Sequence, residues 1–259
     1  MNIWILASII FVIAVIMTMT GRGGGNFYVL ALVFSGITMH EAATTGQFIL
    51  ICSSLTATIF FWKNKVVDWK LVLLIGGLTL VSAFFGGYYS DKFGGNLMKI
   101  IFAIFIFLAS VLMLKPFKKQ SELSNSYSIR LSLGTIVRHI NLYIFIPVVL
   151  VTGFVSGMVG ISGGSFLVPL IVLVIGVPMH IAVATSTTLV LITATAGFLG
   201  HLSTGHFNIE IAVILAIVAL TGSLTGTQLT LKTNPEALKI IFAVTSMIAA
   251  FIMMYKVFY

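Results

Sequence analysis

Apolar residues run in ten blocks, at roughly 3–20, 26–38, 41–62, 71–90 and 97–114, then 142–159, 165–178, 181–200, 209–229 and 237–255. Most approach the ~20 residues that carry a helix across a bilayer. The second block of each half is shorter. Blocks 26–38 and 165–178 would rise only ~20 Å at 1.5 Å per residue, so each reads as a half-helix or one arm of a re-entrant hairpin. Open strands are excluded within lipid, which cannot satisfy an unpaired sheet edge.

The two halves are related. Lys99-Ile100-Ile101-Phe102-Ala103 recurs as Lys239-Ile240-Ile241-Phe242-Ala243, an offset of 140 shared by His40 and His180, Thr45 and Thr185, Gly86 and Gly226, and Lys92 and Lys232. Upstream of the histidines the offset is 139, which aligns Gly21, Gly24 and Gly25 with Gly160, Gly163 and Gly164. An ordered set of matches points to duplication. The chain divides into a first repeat, 1–114, a linker, 115–140, and a second repeat, 141–259.

Composition fixes the solvent. Of 259 residues, 59% are hydrophobic and only 8% charged, too few to solvate the surface of a soluble domain, so lipid surrounds most of the chain. The net charge of +8 lies scattered over short loops without a basic face, which suits orientation in a membrane and not nucleic acid. Cys52, the single cysteine, excludes an internal disulfide and a CxxC site and reads as a small buried hydrophobe. Residues 1–20 lack a basic n-region and a small-residue cleavage site, and read as a retained membrane segment.

The linker holds Lys115, Lys118, Lys119, Arg130 and Arg138 against the single acid Glu122, and reads as a solvated, partly disordered cytoplasmic segment. The basic loop 63–70 corresponds to loop 201–208, which has no Lys or Arg. A loop that changed sides would lose its positive charge. The expected architecture is therefore all-α and polytopic, with two inverted repeats of about five helical elements, short broken or re-entrant helices after glycine-rich breaks, and both termini outside.

Candidate chemistry gathers at those breaks, Gly21-Arg22-Gly23-Gly24-Gly25 and Gly160-Ile161-Ser162-Gly163-Gly164. Glycine exposes backbone amides, and a helix start offers up to four unpaired N–H groups and positive potential. Paired breaks could hold a small anion where half-helices meet; close helix packing through small residues is the plainer alternative. Arg22 at membrane depth would face an anion, a carboxylate or an aqueous cavity; at the membrane surface it would be an anchor. The expected binding set is Arg22, Gly23, Gly24, Gly25, Thr45, Ser162, Gly163, Gly164, Ser165, Thr185 and Ser186.

His40, Glu41 and His180 are candidates for proton coupling, with helix initiation near the interface as the alternative for His40 and Glu41. His201 and His206 read as loop residues without a further ligand cluster, so no metal is expected. The absence of a nucleophile–base pair or P-loop argues against an enzyme or an ATP-driven pump; no cofactor and no catalytic residue is expected.

The run Gly160-Ile-Ser-Gly-Gly-Ser-Phe-Leu-Val-Pro169, followed by Met179-His180-Ile-Ala-Val-Ala-Thr-Ser186, resembles the TauE/SafE family of membrane proteins, also called sulfite exporters. The likeness covers essentially the whole chain. In the first half Leu30 replaces the proline and Gly46 the serine, which departs from strict two-fold symmetry. The resemblance implies export of sulfite or an organosulfur anion such as a sulfonate. The expected function is thus a secondary transporter in a bacterial inner membrane, an exporter of a small anion working by alternating access around a midplane site, with H⁺ as a candidate coupling ion. A channel or uniporter for the same anion or a carboxylate, and a membrane scaffold without transport, are the alternatives.

Overall fold

A computed structural model describes residues 3–114, 128–133, 136–160, 163–202 and 207–258. Among the described residues each half carries five α-helices: α1 (Ile3–Met19), α2 (Gly25–Phe34), α3 (Met39–Lys63), α4 (Trp69–Tyr88) and α5 (Gly95–Leu114), then α6 (Leu142–Val159), α7 (Gly164–Pro169), α8 (Met179–Leu202), α9 (Ile209–Lys232) and α10 (Pro235–Phe258). Within the described residues, α3, α4, α8, α9 and residues 235–252 of α10 are long and apolar enough to cross a membrane. The chain is an all-α, polytopic membrane protein.

Local chemistry sets the helix ends. Asp68 caps α4 by accepting from the Lys70 and Leu71 amides, at 3.0 and 3.2 Å, and its counterpart Asn208 caps α9 through the Ile211 amide at 3.3 Å. Both satisfy amides that the first turn leaves open. The two short elements are α2, of ten residues, and α7, of six. Pro169 has no N–H to continue the α ladder, and the chain runs on through wider π turns over Leu170–Ile175 to Gly176 at φ 75°.

The linker carries strands that the apolar blocks did not mark. Ser128–Leu133 and Ile136–Asn141 pair as an antiparallel hairpin, β1 and β2, with Leu133 opposite Ile136. An alternating apolar and polar run on either side of Gly134-Thr135 is the cause. Residues 115–127 lie outside the described residues.

Small residues bring the helices together, and the contacts recur between the halves. A Cβ at Gly153 of α6 would meet Thr79 Cα of α4 at 3.0 Å, and one at Gly222 of α9 would meet Ala14 Cβ of α1 at 2.7 Å. Gly157 abuts Ala83, and at the matching place Thr18 donates to Ser223 Oγ at 3.4 Å. α4 and α8 run side by side: Gly76 meets Leu189 and Ile192, while Gly200 meets Phe84 and Tyr88. Since α4 follows α3 through a tight loop, with Trp62 and Trp69 edge-to-face across it, α3 and α8 lie antiparallel at the centre. Two apolar clusters pack about them, one drawing chiefly on α1, α2 and α3, the other on α4, α7 and α8, and both central helices contribute to each.

Candidate functional site

The first break begins where the α1 ladder ends. Gly21 and Arg22 amides turn back onto Thr18 and Met17 carbonyls at 3.1 and 3.2 Å, and Gly24, at φ 98°, starts α2 without any side-chain cap. Gly21 and Gly160 hold φ of 75° and 74°. A Cβ at Gly21 would lie 2.7 Å from Val183 Cα of α8, and one at Gly160 would strike Ala43 of α3. Ala43 and Val183 are themselves matched at the offset of 140. Each break thus rests on the central helix of the other half.

The two breaks also touch each other. A Cβ at Gly164 would sit 2.6 Å from Gly21 O and 3.0 Å from Arg22 Cα, so only glycine fits. The two helix starts are unequal, because α2 is a full helix start whereas α7 is one and a half turns long. Ser162 and the Ser165 side chain lie outside the described residues.

Arg22 is fully buried. Its Nε donates to Thr20 Oγ1 at 3.3 Å, Nη1 to Ser246 Oγ, and Nη2 to Thr245 Oγ1 and, at 3.3 Å, to Met17 Sδ. The guanidinium lies 4.3 Å from the Phe242 ring centroid and 5.9 Å from that of Phe27, both within cation–π range. Among the described residues no carboxylate reaches it within salt-bridge distance. This is an arginine inside the protein, compensated by neutral groups, and not a surface anchor.

Other polar groups line the breaks. Ser53 Oγ donates to Gly23 O at 3.2 Å, and Ser53 O accepts from Ser223 Oγ at 2.6 Å. The matched residue Thr193 puts Oγ1 3.4 Å from a Cβ built at Gly163, with Ser156 Oγ at 3.6 Å. Gln47 Nε2 donates to Gly157 O at 3.0 Å, while Gln47 Oε1 and Ser186 Oγ, both fully buried, have no hydrogen-bond partner among the described residues. Sequence reading omitted Ser53, Thr193 and Gln47 from the binding set; the 140-residue match of Ser53 with Thr193 was the available signal.

Other expected residues fall elsewhere. Thr185 Oγ1 accepts from the Asp68 amide at 3.0 Å, at the α3–α4 loop, because it points about two positions round α8 from Val183. Thr45 is buried with its hydroxyl unpartnered among the described residues. Glu41 stands in the first turn of α3, its amide donating to the Thr38 cap at 3.4 Å. His40 Nδ1 lies 3.5 Å from Asp91 Oδ1, and His180 Nε2 3.0 Å from Thr233 O. Each histidine therefore ties the start of its half's third helix to the end of the fourth.

His201 is a correction. It lies within α8, fully buried, with Nε2 2.9 Å from Gly157 O and Nδ1 3.0 Å from Ser90 Oγ. A carbonyl can only accept, so Nε2 carries the proton and Nδ1 accepts from Ser90. His206 lies outside the described residues. No cluster of three or more metal-ligating side chains occurs among the described residues.

The geometry is that of two glycine breaks in contact and one buried cation whose polar partners include hydroxyls of Thr20, Thr245 and Ser246. The family model of the sulfite exporter TauE/SafE matches residues 6–253. The chain belongs to the TauE/SafE family. Among the relatives, the probable membrane transporter protein YunE of Bacillus subtilis is 28% identical over 253 residues, covering 88% of each chain. A probable membrane transporter protein of Methanocaldococcus jannaschii is 26% identical over 90% of this chain and 88% of its own. A third, YdhB of Bacillus subtilis, is 23% identical over 95% of this chain and 98% of its own. No solved structure matches. The protein is an integral membrane transporter of the TauE/SafE type, and not an enzyme.

Proposed function

We propose that this transporter exports a small oxyanion, sulfite or an organosulfur anion such as a sulfonate, across a bacterial inner membrane, by alternating access around the paired breaks. The observation that carries this is Arg22, fully buried where the breaks touch and held by neutral groups, hydroxyls, a thioether and aromatic rings, among the described residues. A buried charge without a counter-charge is costly. An arriving anion supplies that counter-charge, and charge-assisted bonds contribute about 1.5–3 kcal/mol each. Sulfur in the substrate rests on the family's description.

The alternating-access reading rests on an inverted relation of the halves. It is supported by the antiparallel α3 and α8 and by contacts that recur when the halves are exchanged, Gly21 on Val183 against Gly160 on Ala43. A two-fold axis in the membrane plane maps the site onto itself while exchanging its two faces. The linker 115–140 is assigned to the cytoplasm by its basic residues. H⁺ coupling is assigned to Glu41, since His40 and His180 already tie helix ends together.

A thermal-shift screen of the purified protein tests the substrate class. Sulfite, thiosulfate and sulfonates should raise the melting temperature, since a ligand of the folded state stabilises it by RT ln(1 + [L]/Kd). Stabilisation by carboxylates alone, with none from sulfur oxyanions, would overturn the assignment.

A further inference from the structure

Helices α5 and α10, matched elements of the two halves, pack chiefly on one another, with Phe107 and Phe251 edge-to-face at 6.4 Å. Both meet the central helices along thinner seams. A polar tie crosses the α10 seam, from Arg22 to Thr245 and Ser246.

In that tie the hydroxyl oxygens act only as acceptors. The Thr245 proton goes to Ile241 O at 2.5 Å and the Ser246 proton to Phe242 O at 2.7 Å, both within α10. Two neighbouring oxygens therefore present lone pairs to the guanidinium, as two oxygens of an oxyanion would. The sequence adds a second observation. Arg22 matches Ile161, and Thr245 and Ser246 match Phe105 and Ile106. The arginine and its hydroxyl partners are present together in one half-site and absent together from the other.

We propose that Thr245 and Ser246 stand in for substrate oxygens, holding α10 on the first break until an oxyanion displaces them, so that binding releases the α5–α10 pair. The inference rests on the anion reading of Arg22. An oxyanion brings the counter-charge that a neutral hydroxyl lacks, so its bonds to a guanidinium are shorter and stronger. Both cannot occupy the same donors, so the anion binds better to the state with α10 withdrawn and shifts the population toward it. The Phe242 ring, 4.3 Å from the guanidinium carbon, leaves with α10 and sharpens the distinction between the states.

The test measures sulfite affinity calorimetrically on the full-length protein, in the wild type, in Thr245→Val with Ser246→Ala, and in Thr245→Ser. With the internal competitor gone, the double variant should bind sulfite about tenfold more tightly, whereas Thr245→Ser stays near wild type. Hydrogen exchange over residues 238–250 in the wild type should quicken on adding sulfite, a readout that does not depend on the variants folding. Weaker binding in the double variant, or slower exchange in α10 with sulfite, would overturn the proposal and make the hydroxyls direct ligands. If the wild type binds none of sulfite, thiosulfate and methanesulfonate, the anion reading fails and takes this inference with it.

Discussion

Replacing Gly21 by alanine adds one methyl group at the point where the halves meet. Two costs combine. The φ of 75° is a left-handed conformation, which costs an L-residue about 1–2 kcal/mol. The new Cβ would also lie 2.7 Å from Val183 Cα and 2.8 Å from Val183 O, and overpacking of that kind adds about 1–3 kcal/mol. The sum is about 2–5 kcal/mol, which at about 2–4 °C per kcal/mol for a chain near this size lowers the melting temperature by ~4–20 °C. Two controls separate the terms. Gly36 has φ 99° with nothing within 4 Å of a new Cβ, so Gly36→Ala should show the strain alone, about 1–2 kcal/mol. Gly77 lies within α4 with open space around it, so Gly77→Ala should be neutral or stabilising by up to about 1 kcal/mol. Gly160→Ala should match Gly21→Ala. The assay is thermal unfolding in one detergent, read by tryptophan fluorescence. A Gly21→Ala protein no less stable than Gly36→Ala would refute the close approach of break and α8.

Other outcomes follow from the same structure. In a Cys52→Ala background, single cysteines at the matched, exposed positions Lys70 and Glu210 should label from opposite sides of the membrane; same-side labelling would sink the inversion. His201→Ala leaves a cavity and removes the ring bonds to Ser90 and Gly157, so stability should fall by about 2–4 kcal/mol, and an unchanged melting temperature would count against the buried network. Glu41→Gln should remove the dependence of transport on an imposed pH gradient at clamped voltage while leaving counterflow exchange intact; a wild type indifferent to pH would make Glu41 structural only.

The ten helices, their two short members and the matched breaks were legible because hydropathy, glycine clusters and a constant offset are local or periodic signals. The strands Ser128–Leu133 and Ile136–Asn141 are foreshadowed by the alternation Ile129, Leu131, Leu133, a weaker signal than the basic charge of the linker, which marks a solvated segment without specifying its structure. His201 was misplaced because Gly200 and the polar run after it imitate a loop, while its partners lie 44 and 111 residues away. Thr245 and Ser246 were invisible for the same reason: they meet Arg22 across more than 220 residues, and hydroxyls in an apolar helix ordinarily bond to their own backbone. Thr185 shows the limit of a motif, which reports that a residue is repeated and not which way its helix face turns.

Radiolabelled sulfite flux in proteoliposomes, comparing wild type with Arg22→Lys and Arg22→Gln, tests the anion site most directly. Arg22→Lys keeps a charge but loses the planar fork, and should raise the concentration for half-maximal flux about 10–100-fold. Arg22→Gln, with no charge at all, should abolish saturable flux while the protein still inserts and purifies. Saturable sulfite flux of wild-type affinity in both variants would contradict an anion site at Arg22.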